Sequence, residues 1–90
     1  MATIDEISVR IDQYINKNSE FFNNPNSPKI NYGMYENIKE ELDIIEKENS
    51  TASDNYRYIS SENSLICAKN DLKIAKAHLA LDRILRALAG

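Results

Sequence analysis

The sequence predicts an all-α fold: a small three-helix bundle, or an extended helical hairpin with a long C-terminal helix. Three observations predict it. Apolar residues recur at steps of three and four in three separate segments, the spacing that lines one face of a helix. No stretch alternates apolar and polar residues for long enough to make a strand. Two glycines and two prolines in 90 residues leave little turn material for a multi-stranded β domain.

The first helix is predicted over residues 3–22. Thr3 with Glu6 three positions on has the form of a capping box, in which side chains satisfy the helix's first orphan donors. Ile4, Ile7, Ile11, Tyr14 and Ile15 follow at helical spacing, and the pattern reaches Phe21 and Phe22. Pro25 stops the ladder. Residues 23–33, with two prolines, four asparagines and a glycine, form a loop. The second helix is predicted over 34–48, with Tyr35, Ile38, Leu42 and Ile45 on one face and mostly acids elsewhere. Residues 49–55 carry helix-stop and helix-start residues together, so the chain there is either a loop or a continuous helix with a bend. The third helix starts near Ser53 or Ser61 and runs to Leu88. Its alanine- and leucine-rich end makes it the strongest helix former in the chain. All of this fits within one domain.

Two apolar stripes run along that last helix. One is Leu65, Ala68, Leu72, Ala75 and Leu79; the other is Cys67, Ile74, Ala77, Leu81, Ile84 and Leu88, with Leu85 alongside. A helix lying on one neighbour needs a single stripe, so two stripes predict cover from two sides. A second helix of about 15 residues spans some 22 Å at 1.5 Å per residue and covers only part of a third helix exceeding roughly 40 Å. The expectation is that the segment 79–88, where Leu79, Leu81, Ile84, Leu85 and Leu88 surround the helix axis, keeps one side uncovered as an apolar patch. A homodimer or a heteromeric partner chain would close it.

The net charge of −3 and a pI of about 5.1 argue against a general nucleic-acid or anionic-membrane binder. Residues 36–60 hold seven acids and three bases, while 61–90 hold five bases and three acids. A helical hairpin would set the two against each other, so Lys69, Lys73, Lys76, Arg83 and Arg86 are expected to meet internal countercharge rather than phosphates. The single cysteine allows no internal disulfide, and the first residues lack the basic-then-apolar order of a secretion signal. A cytoplasmic setting is the expectation. No apolar run approaches the roughly 20 residues that span a bilayer.

No phosphate loop, nucleophile elbow or zinc-ligand spacing occurs. Cys67 and His78 lie eleven residues apart on one helix, about 16 Å, too far for a thiol–imidazole pair. Cys67 reads as core, and His78 as pairing with Asp82 or sitting at an interface. No catalytic residue, cofactor or metal ligand is expected, and the chain reads as non-enzymatic. Candidate partner-binding residues are Tyr56, Arg57 and Tyr58, whose types dominate interface hot spots. With them stand the leftover Leu81, Leu85 and Leu88, and Glu40 and Glu41 on an acidic face.

Residues 45–54, IEKENSTASD, resemble a helix-end segment of the colicin-nuclease immunity proteins, which are small, acidic and all-helical. The likeness spans ten residues. The paired tyrosines before a proline that mark that family's binding helix are absent here, so no residue role is carried over and no family is assigned. The expected function is a protein–protein interaction module: an adaptor, a co-chaperone or an assembly subunit. The alternative is a small acidic inhibitor, of immunity or anti-defence type, that blocks a larger enzyme or nucleic-acid-binding complex.

Overall fold

A computed structural model describes residues 2–90. Four helices make an all-α rod of 46 × 18 × 16 Å: α1 (Ile4–Lys17), α2 (Ser19–Asn23), α3 (Tyr32–Tyr56) and α4 (Ser61–Ala89). The antiparallel α3–α4 hairpin is the frame, and α1 lies across it in contact with both partners. Among the described residues no helix is long and apolar enough to cross a membrane.

The first predicted helix is broken at Asn18. Its Nδ2 donates to the Tyr14 carbonyl at 2.9 Å, competing with the backbone ladder, while its own carbonyl accepts from the amides of Phe21 and Phe22. The chain turns there, and Phe22 comes against Tyr14 with ring centroids 5.7 Å apart. Upstream, the predicted cap is present: Thr3 Oγ1 accepts from the Glu6 amide.

The second predicted helix is longer at both ends. Asn31 caps it, its Oδ1 accepting from the Met34 amide, so Gly33 belongs to the first turn rather than to the loop. A β-carbon at Gly33 would lie 3.3 Å from that Oδ1, which makes the smallest residue the comfortable one beneath the cap. At the other end the helix runs unbroken through 49–55 to Tyr56. The polar run does not stop it because Asn49 and Ala52 point inward with Tyr56 packed after them. Their burial outweighs propensity penalties of about 0.5 kcal/mol per residue.

The core is built from α1 (Ile4, Ile7, Ile11, Tyr14), α3 (Ile38, Leu42, Ile45) and the second stripe of α4, with Ile30 of the loop closing one end. A polar network crosses it. Asn49, fully buried, donates to the Cys67 carbonyl at 3.1 Å and to Asp71 Oδ1 at 2.7 Å, and accepts from Asn70 Nδ2 at 3.1 Å. Asn70 also donates to Ser8 Oγ on α1 at 3.1 Å. Three helices are thereby pinned to one register, and no buried side-chain polar atom among the described residues lacks a partner.

Candidate interaction surfaces

Only one of the two stripes of α4 is buried. Cys67, Asn70, Ile74, Ala77, Leu81 and Ile84 face the core at alternating steps of three and four. The opposite face carries Leu65, Leu72 and Leu79, which are 57%, 59% and 58% exposed, with exposed Ala68 and Ala75 between them. Leucine at every seventh position with alanine three residues on is a heptad seam, the pattern by which helices pair. Among the described residues none of these leucines belongs to the core cluster.

This corrects the expectation for the C-terminal turns. Leu81 is 2% exposed and belongs to the core, and Leu88 is half-buried against it. Because α3 has 25 residues, it reaches far enough along α4 to cover them. Leu85, 39% exposed, is the one of the three that remains at the surface as a large apolar group. Of the exposed leucines of α4, Leu65, Leu72 and Leu79 lie on the first stripe, and only Leu85 lies beside the second. The strict seven-residue recurrence of Leu65, Leu72 and Leu79 was the available signal.

The turn between α3 and α4 is the second exposed feature. Tyr58 is 91% and Ile59 82% exposed, and the Arg57 guanidinium lies 5.8 Å from the Tyr58 ring centroid. Tyr56 behaves differently, half-buried against the core. The predicted Tyr56–Arg57–Tyr58 cluster thus divides into one packing residue and an exposed tip. A third feature is an open groove of about 440 Å³ between α1 and α3, lined by Ala2, Ile7, Ile44, Ala52 and the stems of Arg10 and Lys47.

The charges pair otherwise than expected. The acids of α3 meet bases of α1: Arg10 with Glu48, and Lys17 Nζ with Glu41 at 3.3 Å. Lys73 reaches Asp12 of α1 at 2.6 Å. Between α3 and α4 the single ion pair among the described residues is His78–Glu46 at 2.8 Å, so His78 does not pair with Asp82. Lys69, Lys76, Arg83 and Arg86 are exposed and enter no ion pair among the described residues, and Glu40 likewise.

Burial, reinforced by Asp71, pushes the Cys67 thiol above its ordinary range and away from the reactive thiolate. Burial also raises the Tyr14 phenol, with Glu41 and Asp43 adding to the effect, and its hydroxyl donates to the Ile38 carbonyl at 3.1 Å. Among the described residues no three His, Cys, Asp or Glu side chains are grouped to hold a metal ion. Compared with known proteins, the chain matches no family model, no curated protein and no solved structure.

Proposed function

We propose that the chain is a non-enzymatic protein–protein interaction module that works through the outward face of α4. One observation carries this reading: three leucines at heptad spacing, each more than half exposed, on a helix already anchored by its other face. Covering the part of each leucine still in water is worth roughly 1–2 kcal/mol, a gain that a partner helix recovers. Exposed Lys69, Lys76 and Arg83 run along one flank of the seam, and the Tyr58–Ile59 tip offers a further anchor at one end of the rod. The role is that of an adaptor or assembly subunit.

The test is an affinity capture with the wild-type chain and with Leu72→Glu/Leu79→Glu, read by mass spectrometry. Proteins captured by the wild type and lost with the double substitution are expected. Identical captures would refute the seam as the working surface. The second reading, an acidic inhibitor, draws on exposed Glu36 and Glu40 on the outer side of α3. It predicts instead that capture falls with Glu36→Gln/Glu40→Gln and weakens steeply with salt.

A further inference from the structure

We infer that the occupant of the α4 seam is the α4 seam of a second copy of this chain, packed antiparallel about a two-fold axis between Leu72 and Ala75. The inference rests on the interaction-module reading and names its partner. In an antiparallel coiled coil each layer sets one stripe position against the other. Here that places every leucine over something smaller: Leu72 over the second copy's Ala75, and Leu79 over its Ala68. Large opposite small is the arrangement that fills space without voids. A parallel pair would stack leucine on leucine and alanine on alanine, with a gap at each alanine layer. Leu65 then meets the second copy's Asp82 with Leu85 beside it, which gives exposed Leu85 a role.

Charge selects the same register. On one flank Glu62 faces the second copy's Arg83, a pair that occurs twice by symmetry; on the other flank Asp71 and His78 are already bonded within the chain, to Asn49 and to Glu46. Two contacts in this register are unfavourable, the exposed and solvent-screened Lys69–Lys76 approach and the Asp82 carboxylate against Leu65. Sliding by one heptad in one direction brings Asp71 onto Asp71 and Lys69 onto Lys69. Sliding in the other brings Lys76 onto Lys76 and Lys69 onto Arg83. A parallel pair sets Arg86 on Arg86 and Asp82 on Asp82. The seam lies nearly opposite the core face of α4, so α1 and α3 point away from the pairing surface. Three half-exposed leucines per copy make a small interface, at the low end of specific contacts, and thus a weak dimer.

Sedimentation equilibrium on the full chain tests this. The wild type should dimerise, and Leu72→Glu should be monomeric with its helical circular dichroism intact. Glu62 and Arg83 are about 32 Å apart along one helix and cannot meet within a chain. Arg83→Glu should weaken the dimer about tenfold, and adding Glu62→Arg should restore it. Recovery in that double variant supports the antiparallel register; failure to recover overturns it. A wild-type chain that stays monomeric to about 100 μM overturns the second copy as occupant. If the Leu72→Glu/Leu79→Glu chain then still loses its captured partners, the interaction-module reading stands without it; if neither assembly nor capture responds, both fall.

Discussion

Replacing Asn49 by Ala should be among the most damaging single changes available outside the apolar core. Asn49 is fully buried, and its amide joins α3 to the Cys67 carbonyl, to the Asp71 carboxylate and to Asn70. Two of these are neutral hydrogen bonds, each worth about 1 kcal/mol net, and the bond to the carboxylate is worth about 1.5 kcal/mol or more. Alanine returns about 0.5 kcal/mol of helix propensity. The net loss is about 3 kcal/mol, which in a chain of this size lowers the melting temperature by roughly 15 °C. Thermal and urea unfolding followed by circular dichroism measure it, with the urea slope unchanged if the native fold is kept. Asn49 and Asn70 share a bond, so a double-mutant cycle to alanine should give a coupling energy of about 1 kcal/mol. A loss below about 1 kcal/mol with no coupling to Asn70 would refute the view that the network holds three helices in register.

Two further outcomes follow from the same structure. Leu81→Asp puts a charge at a core position 2% exposed and should leave the chain unfolded, whereas Leu72→Glu on the opposite face should keep the melting temperature of the monomer within a few degrees, since it changes stability by about 0.5 kcal/mol or less. Stability should also fall at high pH through Tyr14. Its folded pKa is raised above the ordinary value of 10.0, so its contribution is complete below pH 10 and is lost as the unfolded chain ionises above it, by about 1.4 kcal/mol per pH unit. Urea midpoints for the wild type should therefore drop above pH 10, and those of Tyr14→Phe should drop less.

Much of this architecture was written in the sequence, and the failures have physical causes. The inward face of α1 follows from the steps between Ile4, Ile7, Ile11 and Tyr14 alone. The cap at Thr3 was readable, and the start at Ser61 was one of the two starts the residues offered. The run at 49–55 stayed open between loop and helix because Ser, Thr, Asp and Asn favour helix ends when nothing else acts on them. Here Asn49 finds partners across the bundle that no local rule contains. The break at Asn18 is the converse case, a side chain turning a helix that apolar spacing would have continued. The two stripes of α4 have the same period, so periodicity could not say which faces inward. The core stripe contains Asn70, a residue whose polarity excludes it from any apolar pattern until Asn49 and Ser8 are seen beside it. Leu81 was expected at the surface because the second helix was read as too short to reach it, and it lies in the core, while Leu72 is the residue exposed.

The connection between α3 and α4 shapes how the chain acquires its structure. Four residues, 57–60, reverse its direction, with no residue at positive φ among those described. The Tyr56 carbonyl gathers the amides of Ile59 and Ser60 and the hydroxyl of Ser64, and Ser60 caps the helix that follows. So short a closure sacrifices little chain entropy, and the contacts it starts are close in sequence, the condition for rapid folding. At 14 residues, α1 is at the margin of what stays helical alone in water. The hairpin is therefore expected to form first and to serve as the template on which α1 becomes a helix, with Ser8 meeting Asn70 as that helix joins the other two.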